Sequence, residues 1–135
     1  MLDFLAAHNS GHVINPMLLE GQVHGGIHMG LGYTLSEEMI IDPQTGALTN
    51  PHPKKYHMLS ASEMPSVRVP TAENPEEAGR FGAKSIGECA TDAVASAVMN
   101  AVNNALGLEL HLGPLTPVRV LAALRTNEGM RLTPS

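Results

Sequence analysis

The chain has 135 residues, a formal net charge of −5 and 43% hydrophobic residues. That length suits one domain with a buried core, and the eight scattered Lys and Arg residues form no basic stripe of the kind that binds nucleic acid. The first residues contain no long apolar run, so neither a secretory signal nor a membrane span is expected, and the predicted location is cytoplasmic.

Asn15 and Pro16 mark the start of the first predicted helix, which follows a short apolar strand over residues 3–8. Asn caps the free amide groups of a helix, and Pro is favoured at the first helical position. The helix is predicted to extend over residues 17–38, where apolar residues recur at intervals of four or five. These apolar residues are Leu18, Val23, Ile27, Leu31 and Leu35.

Glycine is frequent in this predicted helix, although each glycine costs about 1 kcal/mol relative to Ala in a helix interior. Two pairs lie four residues apart, Gly21 with Gly25 and Gly26 with Gly30, so the members of each pair share a helix face. Faces of small residues let a neighbouring backbone or a ligand approach closely. Both tight core packing and contact with a ligand would account for the glycines.

The middle of the chain predicts a hairpin, loops and one more strand. Residues 39–42 and 47–50 are predicted strands, joined by a four-residue loop that ends in glycine. Residues 50–65 are rich in Pro, His and Ser and predict a long surface loop. Residues 66–69 predict a strand, and the acidic residues within 71–80 indicate an exposed loop.

Two further helices are predicted in the last third of the chain. Apolar residues recur at helical spacing from Val94 to Leu106, with Thr91 as the N-cap and Gly107 at the C-terminal end. The segment 114–124 repeats this logic, with a threonine cap followed by a proline.

The fold class expected from these elements is α+β, with a small mixed or antiparallel sheet and three packed helices. The sequence contains no internal repeat. Residues 1–125 would form the domain, and residues 126–135 are predicted to be a disordered tail.

The segment from Phe81 to Cys89 is the strongest candidate for chemistry. Glu88 directly precedes the second predicted helix, so we expect it near the positive end of a helix dipole. A carboxylate held there can stay ionised while partly buried, which suits a general base. Carboxylates that only stabilise a helix end have the same placement, so the residues alone leave both interpretations open.

Other motifs are weaker. Residues 82–85 have Ala where a phosphate-binding loop requires Gly before Lys. His24 and His28 are four residues apart, but no third ligand stands at a recognisable spacing, so no metal site is predicted. Cys89 is the only cysteine, which excludes a disulfide or a multi-cysteine metal site within the chain. A small metal- or thiol-dependent protein using these residues is the most remote alternative.

Several segments together resemble the xanthine dehydrogenase and aldehyde oxidase family of molybdenum hydroxylases. In chain order they are Asn15-Pro16, Gly21 to Gly26, Gly30 to Tyr33 ahead of Glu37-Glu38, Asn50 to Tyr56, Gly82 to Glu88, and the segments 100–107 and 114–124. The matches follow the family's order over nearly the whole chain. This ordered agreement is more specific than any single motif.

The resemblance implies the C-terminal part of a molybdopterin-binding catalytic subunit. It implies that Gln22 contacts the pterin cofactor and that Ile86 and Gly87 make backbone contacts near the metal. It also implies that Glu88 is the catalytic base. The implied reaction hydroxylates an electron-poor carbon of a heteroaromatic or aldehyde substrate, with water as the oxygen source.

The resemblance also implies partners, because most cofactor contacts and the substrate pocket would lie on the remaining part of the subunit. Iron–sulfur clusters and FAD, where present, would lie on other electron-transfer chains. The isolated chain is expected to be inactive, to bind no cofactor and to form a homo-oligomer. The alternative is a non-catalytic, cofactor-free fragment from a split or truncated gene. Asn9 and His12 replace an acidic residue and an arginine common in the family, so any ion pair there is lost or replaced.

Overall fold

The structure is a computed structural model that describes Met1 and residues 3–131, with side chains described as far as residue 126. Its elements are β1 (Asp3–Leu5), α1 (Pro16–Leu35), β2 (Ser66–Arg68), α2 (Cys89–Asp92), α3 (Val94–Leu106) and α4 (Pro117–Arg131), with 3₁₀ turns at Ala61–Glu63 and Arg80–Gly82. The predicted α+β class, with a small sheet and three long helices, is confirmed. Within the described ranges, no helix has the length and apolar character needed to cross a membrane.

The described residues group into two compact units. The first comprises Met1–Gly30 and Ser60–Val94. The second comprises Leu31–Leu59 and the described residues from Ala95 onward. Helix α1 contributes to both units, and the first unit contains all of the predicted site residues.

Strands β1 and β2 pair in parallel, with Phe4 opposite Val67. The sequence predicts mixed or antiparallel pairing, but antiparallel pairing occurs here as isolated bridges. Asp3 and Arg68 form an ion pair across this sheet on the exposed surface. The hydrogen bond from the Arg68 guanidinium lowers the pKa of Asp3 below its ordinary value.

Helix α1 buries one face, on which Leu19, Val23, Ile27 and Leu31 lie four residues apart. The prediction that Leu18 belongs to this face is wrong, because Leu18 is 65% exposed and Leu19 is 7% exposed. Leucine occupies both positions, so composition does not distinguish them. The four-residue spacing back from Val23 selects Leu19.

Gly26 and Gly30 are the points of closest approach to α1 within the first unit. A Cβ on Gly26 would lie 2.5 Å from the Ala90 Cβ, and one on Gly30 would lie 2.5 Å from the Val94 Cβ. At Gly25, which belongs to the other predicted pair, no atom lies within 4 Å. The close-approach prediction is therefore confirmed for one pair of glycines and wrong for the other.

The predicted hairpin forms in the second unit as a turn with one antiparallel bridge, between Ile41 and Leu48, rather than as two full strands. Asn50 is 5% exposed and anchors this turn. Its side chain accepts a hydrogen bond from the Ile40 amide at 2.9 Å and donates one to the Glu38 carbonyl at 2.6 Å.

Replacing Asn50 with Ala should lower the free energy of unfolding by about 1–3 kcal/mol, because two backbone groups would lose their partner. Urea unfolding of the purified protein measures this change. The matched control is Gln44→Ala in the exposed loop of the same turn, which should stay within about 0.5 kcal/mol of wild type. Equal stabilities of the two variants would show that Asn50 does not anchor the turn.

The second predicted helix is divided into α2 and α3, with Ala93 between them. Thr91 lies inside α2, so its predicted role as an N-cap is wrong. Gly107 ends α3 as predicted, with a φ of +63° that favours glycine. At the last helix, the predicted cap is confirmed by the hydrogen bond from the Arg119 amide to Thr116 Oγ1 at 3.4 Å.

Helix α4 extends to Arg131, past the predicted end of that helix near Leu124. It therefore runs into the segment 126–135, for which the sequence predicts a disordered tail. Residues 132–135 of that segment lie outside the described residues. The disorder of the tail stays a prediction.

Candidate functional site

A short antiparallel contact joins residues 10–12 to residues 82–84. The Lys84 amide donates to the Ser10 carbonyl at 2.8 Å, and the His12 amide donates to the Gly82 carbonyl at 2.9 Å. Gly11, between them, has a φ of +64°, and a Cβ there would overlap the Gly82 carbonyl oxygen. Glycine at position 11 therefore allows the contact that places Ser10 beside Lys84.

This contact and the first turns of α1 form a cleft of about 270 Å³ in the first unit. Leu18, Leu19 and Ile86 contribute apolar surface to it. Gln22 and Lys84 contribute polar side chains. Two of the four predicted site residues, Gln22 and Ile86, thus line one cleft although 64 positions separate them in the sequence.

Ser10 supplies an independent sign that the cleft is a binding site. It is 3% exposed, and its Oγ has no hydrogen-bond partner among the described residues. Among the described residues that line the cleft, none is acidic. A hydroxyl, a carboxamide and an ammonium group beside apolar surface fit a polar heteroaromatic cofactor such as a pterin.

Glu88 follows Ile86 and Gly87, and its side chain is exposed. It is the N-cap residue of α2 but makes no side-chain capping hydrogen bond. The predicted partial burial is therefore not observed. Glu88 does lie at the N-terminal end of a helix, as predicted, but this helix has only four residues and therefore a small dipole.

The two residues that depart from the family pattern have local roles. Asn9 Oδ1 accepts a hydrogen bond from the Gly11 amide at 3.2 Å, which stabilises the turn before the cleft. His12 lines the cleft. Asn15, predicted to cap α1, is confirmed in that role, because its Oδ1 accepts a hydrogen bond from the Leu18 amide at 3.1 Å.

Sequence reasoning did not predict that Ser10 and Lys84 line this cleft. Lys84 belongs to the segment that fails as a phosphate-binding loop, and its position beside a glycine-rich turn was the available signal. No signal marks Ser10 in the sequence, because its burial depends on the contact with residues 82–84.

His24 and His28 line a second cavity, of about 440 Å³, together with Met64 and Val67. Throughout the part of the chain that the structure describes, no group of three or more His, Cys, Asp or Glu side chains is arranged to hold a metal ion. Cys89 is an exposed free thiol.

In the second unit, the Tyr56 hydroxyl donates a hydrogen bond to Glu37 Oε2 at 2.8 Å. This bond to a carboxylate raises the pKa of Tyr56 above its ordinary value. The Glu37 carboxylate occupies the space that a Cβ on residue 32 would need. The loop from Asn50 to Tyr56 is therefore bonded to Glu37, which lies just after the end of α1. This bond connects two of the segments that resemble the family.

A family profile described as a molybdopterin cofactor-binding domain matches residues 1–65. The putative xanthine dehydrogenase molybdenum-binding subunit of Escherichia coli K12 is 44% identical over 86% of this chain and 15% of that protein. The nicotine 6-hydroxylase large subunit of Paenarthrobacter nicotinovorans is 33% identical over 85% of this chain and 14% of that protein.

The fold is similar to the crystal structure of quinoline 2-oxidoreductase from Pseudomonas putida 86, with a TM-score of 0.83 and 33% identity. The match covers 90% of this chain and 16% of that structure's chain. The chain thus spans about 15% of the length of the relatives that it matches. Sequence and fold agree, and the chain belongs to the xanthine dehydrogenase and aldehyde oxidase family of molybdenum hydroxylases, where it corresponds to a portion of the molybdenum-binding subunit.

Proposed function

We propose that this chain supplies one wall of the molybdopterin site and the catalytic base to a molybdenum hydroxylase. The assembled enzyme would hydroxylate an electron-poor carbon of a heteroaromatic or aldehyde substrate, with water as the source of the oxygen. The observation that carries this proposal is the meeting of Gln22 and Ile86 at one cleft, with Glu88 two residues farther along the chain.

Each proposed role uses a group that the chain presents. The Gln22 carboxamide donates and accepts hydrogen bonds, which suits the polar edge of a pterin. The backbone amides of Ile86 and Gly87 would offer donors to the bound cofactor, and no atom lies within 4 Å of the position that a Cβ on Gly87 would take, so the space beside Gly87 is open. The bound molybdenum cofactor would supply the two-electron redox chemistry that protein side chains lack.

Glu88 would accept at its carboxylate the proton of the water-derived oxygen that attacks the substrate carbon. The exposed side chain makes no capping hydrogen bond, so its oxygens are not committed to the backbone of α2. A general base needs such a carboxylate, free to accept a proton. The apolar surface of Leu18, Leu19 and Ile86 would limit the access of water to the adjoining cleft.

The names of the relatives favour an aromatic nitrogen heterocycle as the substrate. Xanthine, nicotine and quinoline appear in those names, and each contains a ring carbon made electron-poor by nitrogen. An aldehyde is the second candidate, since an aldehyde oxidoreductase of Escherichia coli K12 is 30% identical over 89% of this chain. We place the assembly in the cytoplasm, with electron-transfer chains that carry any iron–sulfur clusters or FAD.

Molybdenum is expected in the assembled enzyme and not in this chain alone. Protein purified from its native source should contain molybdenum, pterin and the remaining part of the subunit. The recombinant chain should contain neither cofactor component and should self-associate, because Met17, Leu18 and Phe81 are exposed by 76%, 65% and 85%. Elemental analysis, pterin fluorescence and light scattering measure these properties.

Stoichiometric molybdenum in the recombinant chain, or a monodisperse monomer, would contradict this prediction. Native protein that contains neither molybdenum nor the remaining part of the subunit would overturn the proposed function. That result would favour a cofactor-free, non-catalytic fragment instead.

A further inference from the structure

The Ser10 hydroxyl is buried without a hydrogen-bond partner among the described residues, although Ser10 lines the cleft. Buried polar groups in native proteins are almost always bonded, so each exception requires a physical explanation. The backbone of Ser10 is fixed by the bond between its carbonyl and the Lys84 amide at 2.8 Å. A binding role would explain why a hydroxyl rather than a methyl group is placed there.

The composition of the cleft indicates the kind of group that it would hold. Apolar side chains, including Leu19 and Ile86, form part of its wall, and Ser10, Gln22 and Lys84 provide hydrogen-bond donors. A volume of about 270 Å³ is slightly below the usual range for pockets that hold a whole drug-sized molecule, roughly 300–1,000 Å³. The cleft is therefore suited to one flat ring system with a polar edge, rather than to a complete cofactor.

The charge of the cleft differs from that of the chain. The chain carries a net charge of −5, whereas the described lining of the cleft includes Lys84 and no acidic residue. The positive end of α1, a 20-residue helix, lies at the same cleft through Asn15 and Leu18. This environment favours an electron-rich edge, such as a ring carbonyl oxygen and ring nitrogens.

We propose that Ser10 and Lys84 are additional cofactor-binding residues, which donate hydrogen bonds to the carbonyl and ring-nitrogen edge of the pterin beside Gln22. The inference rests on the proposed function, because it needs a pterin in this site. It goes beyond that function by giving a cofactor contact to two residues for which the family resemblance implies no role. Leu19 and Ile86 would contact the faces of the ring.

The test uses the assembled enzyme and measures the rate of pterin release by fluorescence after dilution. Ser10→Ala should raise this rate about 3- to 10-fold, the effect of losing one neutral hydrogen bond. Lys84→Met should raise it more than about 10-fold, and Lys84→Arg should restore part of the loss. The matched control is Lys55→Met, which removes an equal charge from an exposed loop and should leave the release rate unchanged.

The Tm of the cofactor-free protein distinguishes a binding role of Ser10 from a structural role, because the two roles predict different changes in the Tm of Ser10→Ala. Ser10→Ala should unfold at or above the wild-type Tm, because it removes a buried hydroxyl that has no partner. A clear decrease in Tm with unchanged pterin release would overturn the proposal, since the hydroxyl would then be bonded within the protein.

Inorganic phosphate distinguishes a pterin edge from a free anion as the occupant. It should not raise the Tm of the cofactor-free wild type more than that of Lys84→Met. A larger increase in the wild type would assign the cleft to a free anion and overturn the proposal. Normal pterin release in both variants would overturn this inference alone, whereas a wild-type assembly without any pterin would overturn the proposed function as well.

Discussion

Glu88→Gln in the assembled enzyme is expected to lower turnover by about 10²-fold or more while molybdenum content and fold are retained. Glutamine has nearly the same size and shape as glutamate but cannot accept the proton. A 10²-fold loss corresponds to about 2.7 kcal/mol of transition-state stabilisation. Because Glu88 makes no capping hydrogen bond in α2, the substitution removes no bond that holds this helix.

Steady-state turnover, measured with molybdenum content on the same samples, decides this prediction. Glu77→Gln is the matched control, since it makes the same chemical change in an exposed loop of the first unit and should keep wild-type turnover. Near-normal turnover of Glu88→Gln would remove Glu88 from the mechanism. Loss of molybdenum in this variant would instead identify Glu88 as a residue that retains the cofactor.

Gly26→Leu is expected to prevent folding of the first unit or to destabilise it by about 3 kcal/mol or more. A Cβ at this position would already lie 2.5 Å from the Ala90 Cβ and 3.0 Å from the Ala90 backbone carbonyl carbon. The backbone cannot move aside as a flexible side chain can. Any displacement of Ala90 also moves Glu88, two residues earlier, so cofactor retention and turnover should fall together.

Gly25 provides the control in the neighbouring position of the same helix. No atom lies within 4 Å of a Cβ at Gly25, so Gly25→Ala should stabilise α1 by about 0.5–1 kcal/mol through helix propensity. Gly26→Ala should destabilise it despite the same gain in propensity. Urea unfolding of the pair separates the two effects. Equal stabilities of Gly25→Ala and Gly26→Ala would show that α1 is not in close contact at Gly26.

The elements that the sequence predicts correctly depend on neighbouring residues. Asn15 before Pro16 defines the start of α1, and Thr116 before Pro117 defines the start of α4. Gly107 marks the end of α3 because a positive φ favours glycine. Each signal acts within one helical turn, so no distant part of the chain has to be known.

The features that sequence reasoning missed depend on contacts between distant residues. The parallel pairing of β1 with β2 requires partners far apart in the sequence, and two strands of three residues carry little periodicity. The interruption at Ala93 follows no Gly or Pro and has no local signal. For the site, the family resemblance identified Gln22 and Ile86, whereas Ser10 became visible only when its hydroxyl was found without a partner among the described residues.

The parallel pairing of β1 with β2 also determines the order in which a ribosome can complete this fold. Paired residues are 63 positions apart, so the first strand emerges roughly 3–13 s before its partner at about 5–20 residues per second. During that interval the ribosome synthesises residues 31–59, which belong to the other compact unit. For that interval strand β1 has no β2 to pair with, so the edge that later bonds to β2 is exposed on the nascent chain.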